Sequence, residues 1–220
     1  MIGGIRRGTD AETRAEAAAR MRAILVQMER YWQQIRAADR LPARTDVDPA
    51  RIDACLPHSF IVERVGPGIL RLRVAGSRLS DALGMEVRGM PLSALFLPEG
   101  REVLGAHVDA VFDDPAIMEF AITSPRGLGR PLMTGRLLLL PLTDRDGGVT
   151  RALGAMITEG EIGRGGRRFT IDPAAPIRRD PALSPVIQPL TFDTPREDAV
   201  PARPATPPGR GHLRLVVDNS

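Results

Sequence analysis

The chain has 220 residues and a hydrophobic content of 43%, enough apolar material for one globular domain of ordinary size with extensions. All 30 basic residues are arginine and 27 acids nearly balance them, so the formal charge is only +3; with an aromatic share of 4%, this composition argues against nucleic-acid binding. Cys55 is the only cysteine, which excludes an intrachain disulfide, and the absence of a signal-peptide core and of any bilayer-length apolar run leads us to expect a cytoplasmic protein that contacts no membrane.

Along the chain, Met21, Ile24, Leu25, Met28, Tyr31, Trp32 and Ile35 recur at steps of three and four, which predicts an amphipathic helix. Thr9 followed by Glu12 marks its start as a capping box, and it is expected to end near Ala38. The stripe can pack on the core of its own domain, or part of it, through Met21, Leu25, Met28 and Trp32, can form a homodimer seam. Asp48 and Pro49 then open a short helix that Pro57 closes. The runs "SFIVERV" and "GILRLRVAG", joined through "GPG", read as a hairpin with Leu70, Leu72 and Val74 facing the core and Arg71 and Arg73 facing water.

The stretch "VAGSRLSDALGMEVRGMPLSALFLPEG", Val74 to Gly100, is broken repeatedly by Gly, Ser and Pro. Ser77 or Ser80 caps a short turn through Leu83, Gly84 stops it, Gly89 turns again, and Pro91 starts another. Leu79, Leu83, Met85, Val87, Leu92, Leu95 and Phe96 are too many apolar residues for a solvated loop, so these turns are expected to lie on a sheet. A longer helix follows Pro98, and "AIMEFAIT", "TGRLLLLPLT" and "RALGAMITE" are three further strands separated by strong turn chemistry. Three segments result: the helix with a flexible start (1–38), a mixed α+β domain (39–160), and a largely irregular tail (161–220). The tail holds ten of the 20 prolines; within it "HLRLVVD", His212 to Asp218, forms a strand if it finds an edge and otherwise frays.

Residue chemistry gives no catalytic set and no metal site. Cys55 and His58 flank a two-residue spacer but have no second ligand pair, and Ser59 beside His58 on a strand points to the opposite face, so we expect no enzyme. In "GRGGRRF", Arg164 and Arg168 have an R-x-x-x-R spacing suited to phosphate, without the second element that cyclic-dinucleotide binders carry, and read as a basic linker.

The stretch "AGSRLSDALGMEVRGMPLSALFLPEGRE", in an order of helix, two strands, short helices, longer helix and three strands, resembles the PAS domain. The stretch "YWQQIRAADRLPARTDVDPARIDACLPHSFIVE" resembles the opening of a bacterial PAS family of small stand-alone proteins. The resemblance covers roughly Tyr31 to Gly160. It implies a five-stranded antiparallel sheet with helices cupping one face, around a pocket to which Leu83, Leu95, Phe96, His107, Val108, Val111, Phe120, Leu138 and Met156 are assigned. It also implies dimerisation through the N-terminal helix, and His107 stands in the connecting helix where haem-binding relatives carry their proximal ligand; the cofactor itself is left unknown. A regulatory sensor or interaction module in signal transduction follows from the resemblance, binding a small molecule or a partner protein, with no output domain. The alternative is a structural adaptor whose core is filled by its own side chains.

Overall fold

The computed structural model describes residues 6–37, 39–163 and 165–183. Helix α1 spans Arg6–Ile35, starting a turn before the expected cap, so Thr9 lies inside the helix. A 3-10 turn at Arg44–Asp46 and a 3-10 helix at Pro49–His58 follow, the latter capped by Asp48, whose carboxylate accepts from the Ala50 amide at 3.0 Å. Strands β1 (Ser59–Gly66) and β2 (Ile69–Ala75) form the expected hairpin.

The broken stretch becomes α2 (Ser77–Leu83), a 3-10 turn at Leu92–Leu95, α3 (Pro98–Val108) and a last turn at Asp109–Val111. Neither Ser77 nor Ser80 caps α2: its N-cap is Gly76, where an added Cβ would sit 2.1 Å from the Leu56 carbonyl oxygen, so the chain can pass there only without a side chain. Gly84 ends α2 in the left-handed region at φ 74°, the conformation that glycine takes at no steric cost. Strands β3 (Ala116–Ser124), β4 (Met133–Thr143) and β5 (Val149–Glu159) complete a sheet in the order β2-β1-β5-β4-β3, antiparallel throughout.

The sheet does not stop at five strands. After β5 the chain turns on Arg167, whose buried guanidinium donates to the carbonyls of Ile162, Pro131 and Glu161 at 2.6–2.8 Å. Strands β6 (Thr170–Ile171) and β7 (Arg178–Pro181) then both pair with the outer edge of β3. Residues 165–183 are therefore part of the folded domain and not an irregular tail. Arg178 anchors them, meeting both oxygens of Glu29 on α1 at 2.7 Å and reaching Glu119 on β3 and Asp180 on its own strand. These acids hold its guanidinium well above the ordinary arginine range. The segment "HLRLVVD" lies outside the described residues.

Helices cover both faces, not one. Phe60, Val62, Leu70, Leu72, Phe120 and Met156 face α2, α3 and the short turns. Ile61, Leu138, Leu140, Leu153 and Ile157 alternate onto the opposite face, under α1 and the Pro49–His58 helix. Val74 leaves the expected alternation. Pairing with β1 skips Arg73, matching Val62 to Leu72 but Ile61 to Val74, and this bulge turns Val74 onto the α1 face, beyond the cover of that helix. Val74 is 50% exposed while Leu72 is fully buried.

Candidate functional site

The pocket expected between the sheet and its cup of short helices is filled by its own lining. Leu95, Phe96, Val111 and Phe120 have 0% exposure, and Val108 and Met156 have 1%. A void large enough for one water would give the residues around it measurable accessible surface, so these side chains close on one another. Leu83 packs in the same cluster at the end of α2. Leu138 does not belong there: the two-residue period of β4 sends Leu137 and Leu139 into this core and Leu138 into the other. Met85, expected among the buried residues of the crossover, is exposed at the turn after Gly84, while Leu79, Val87 and Leu92 are buried.

His107 stands near the end of α3, half-buried, with its ring edge-on to Phe120 at 6.4 Å between centroids. Its Nδ1 lies 2.9 Å from the Val103 carbonyl, which can only accept, so Nδ1 carries the proton and Nε2 is the ring atom left for any ligand. A haem does not fit beside it. Phe120, Val111 and Val108 occupy the interior that a macrocycle would need, with no space for water between them.

Cys55 and His58 have separate surroundings. The Cys55 thiol is buried and donates to the Ile24 carbonyl of α1 at 3.7 Å, and burial pushes its pKa up, keeping it protonated. His58 is buried with Nδ1 unpartnered, and desolvation, the largest cause, together with the nearby charge of Arg78 holds its pKa below the ordinary value against a hydrogen bond to the Met156 backbone. Ser59 spends its hydroxyl on the Leu56 carbonyl at 3.1 Å. Among the described residues no three His, Cys, Asp or Glu side chains cluster as a metal site. Arg168 donates to the Ala94 carbonyl, and its R-x-x-x-R companion, Arg164, lies outside the described residues.

The apolar stripe of α1 is an intramolecular surface. Leu25, Met28, Tyr31 and Trp32 are buried against the sheet and the Pro49–His58 helix, with Met21 and Ile24 half-buried at the margin. Two polar contacts lock it. Trp32 donates Nε1–H to the Pro141 carbonyl at 2.9 Å, and the Tyr31 hydroxyl accepts from the Asp48 amide at 2.7 Å. Leu25, Met28 and Trp32, assigned from the sequence to a homodimer seam, are thus used within one chain. Upstream of Met21 the side chains of Ala15, Glu16, Ala19 and Arg20 are exposed on a helix that continues to Arg6.

The residues that sequence reasoning missed are those of the strap formed by β6, β7 and Arg178. They place the end of the domain against α1, so the helix, the edge strand β3 and the segment after β5 form one mechanical unit.

Residues 20–157 match a family model described as PAS domain. Among curated proteins, none matches the chain. No helix among the described residues is long and apolar enough to cross a membrane.

Proposed function

The chain belongs to the PAS domain family, and from that premise we propose that it is a regulatory module of bacterial signal transduction that acts through protein contacts and not through a ligand held in its core. A PAS domain is in general a sensor or regulatory module. The observation that carries the finer reading is the packing of Leu95, Phe96, Val111 and Phe120, which leaves none of their surface accessible. A core of this kind supplies stability and shape, and recognition then falls to the outer surface. The first half of α1 is the element offered to a partner, either another protein or a second copy of this chain, because its described side chains before Met21 are mostly exposed. The reading includes no catalytic activity and places the protein in the cytoplasm, where the lone buried thiol of Cys55 stays reduced.

The test is native mass spectrometry and an absorption spectrum on the purified full chain. The expected result is the bare polypeptide of 23.8 kDa with no chromophore beyond its aromatic residues. A stoichiometric co-purifying organic ligand, lost together with folding when Phe96 or Phe120 is replaced by a smaller residue, would overturn the reading.

A further inference from the structure

The outer face of the sheet changes character where its helical cover ends. On β1, Ile61 is followed two residues later by Glu63, and on β5 Leu153 is preceded by Arg151; the register pairs Ile61 with Leu153 and Glu63 with Arg151. The face that is apolar under α1 therefore becomes charged one step further along. Over this charged row lies a cleft of about 600 Å³, the volume of a small-ligand site. One wall is the Arg44–Asp46 turn, pinned to the sheet by the Thr143 amide, which donates to the Pro42 carbonyl at 2.9 Å. The other wall is the β4–β5 turn, with Asp144, Arg145 and Asp146.

Three arginines and three acids line this cleft, and they differ in how far their hydrogen-bonding groups are already engaged. Glu63 is held by Arg73 and, at 3.4 Å, by Nη2 of Arg151. Asp144 is saturated by its own turn: Oδ1 accepts from the Asp146 and Gly148 amides at 2.9 Å, and Oδ2 accepts from the Thr150 hydroxyl at 2.8 Å. Those donors, Thr150 first, keep its carboxyl below the usual range and hence ionised and committed. What remains without a partner is mainly guanidinium donor capacity. Arg44 and Arg145 form no ion pair among the described residues, and Nε of Arg151 is buried without a partner, with Asp146 as the one opposing acid that nothing engages. An unpaired buried donor on a guanidinium is costly unless an acceptor satisfies it. The lining has no aliphatic or aromatic side chain larger than alanine or threonine, so the complementary molecule is polar throughout.

We propose that this cleft binds a small multivalent oxyanion, a di- or tricarboxylate or a phosphate ester, held between Arg44, Arg145 and Arg151. Planar guanidinium forks match the paired oxygens of both groups. The bound anion bridges the segment that follows α1 to the β4–β5 turn, giving the domain an input outside its filled core. This assignment is independent of whether the chain's output runs through protein contacts.

The experiment is a titration of the full chain with citrate and, separately, with inorganic phosphate. Calorimetry and thermal shift are read against sodium chloride at matched ionic strength. Saturable one-site binding of at least one of the two is expected, citrate alone marking a carboxylate ligand and phosphate alone a phosphate-bearing one. The double variant Arg44→Ala, Arg145→Ala keeps the parent melting temperature without anion, since neither side chain supports the fold, and binds roughly tenfold or more weakly, the loss expected for charge-assisted hydrogen bonds. Arg88→Ala, exposed and outside the cleft, binds as the parent does. The proposal is overturned if neither anion gives saturable binding beyond chloride, or if the double variant binds as tightly as the parent.

Discussion

Replacing Trp32 tests at once where α1 packs and how firmly. Its side chain is fully buried between the helix and the sheet, and its Nε1–H satisfies the Pro141 carbonyl. That carbonyl lies past the last β3–β4 pair, Met118 with Leu139, so β3 no longer supplies a donor there. Proline, which has no amide hydrogen, is tolerated in β4 at this point because no β3 residue pairs with it, and Trp32 supplies the donor that its carbonyl would otherwise lack. Trp32→Ala removes about 150–250 Å² of buried surface, which at roughly 25 cal/mol per Å² is about 4–6 kcal/mol as an upper bound, against the 3–5 kcal/mol range typical of such truncations. The orphaned carbonyl adds about 1 kcal/mol, and the Arg36 guanidinium, 5.8 Å above the ring, loses its platform. We expect a loss of about 4 kcal/mol by urea unfolding followed by circular dichroism, and a fall in melting temperature on the order of 10 °C. Trp32→Phe keeps most of the burial and loses the hydrogen bond, and is expected to cost about 1–2 kcal/mol. Because the contact lies within one chain, the parent midpoint should not move over a roughly hundredfold range of protein concentration. A loss under about 1 kcal/mol for Trp32→Ala, or a midpoint that climbs with concentration, would refute the docking of α1 and return its stripe to a dimer seam.

Three further outcomes follow from particular contacts. Leu72→Asp should destabilise the domain by several kcal/mol by placing an unpaired charge in the core, whereas Val74→Asp, on the bulged and exposed side, should change stability by less than about 1 kcal/mol; equal effects in thermal melts would remove the bulge from the description. Ending the chain after Thr170 removes Ile171, β7 and the Arg178 ion pairs and uncovers the β3 edge, so compared with a chain ended after Pro185 its melting temperature should fall by about 5–10 °C and its aggregation should rise; identical melts would deny the strap a structural role. His58 is held below its ordinary pKa in the folded state, so the unfolded chain binds more protons as the pH drops, and stability should decline from near pH 6.5 downward, by no more than about 1.4 kcal/mol per pH unit, until the folded-state pKa is passed. His58→Gln should flatten that part of the pH profile, and an unchanged slope would assign the acid loss to other groups.

What was legible in the sequence was whatever repeats with a period. The three- and four-residue steps from Met21 to Ile35, the alternation of β2 as far as Leu72 and the turn residues that separate β3, β4 and β5 marked the helix, the main strands and their order along the chain. The misses fall where a single residue or a distant partner decides. Skipping Arg73 moves Val74 to the other face, and nothing in "LRLRV" marks the skip. Within "LLLLPL" every position is buried, so alternation carries no sign of which face Leu138 takes; only its pairing with Glu119 and Ala155 settles that. The strap escaped for a related reason. Two residues of β6 and four of β7 are too short to show a period, and their proline-rich setting reads as irregular, yet Arg178 finds Glu29 at a separation of 149 positions.

The filling of the pocket belongs to a different class of property again. Apolar residues at Leu95, Phe96, Val111 and Phe120 are what both a ligand pocket and a closed core require, and the difference between the two is a gap of a few ångströms set by how side chains from the sheet and the short helices meet. Composition fixes that these residues leave water; it does not fix whether they leave room. The cleft over Glu63 and Arg151 is the converse case. Its arginines and acids look in sequence like an ordinary solvated surface, and only the hydrogen bonds of the folded chain separate the acids already engaged, Glu63 and Asp144, from Arg44, Arg145 and the Arg151 Nε, which have no partner among the described residues. A site made by subtraction in this way has no motif, because the residues that define it are distinguished by partners they lack.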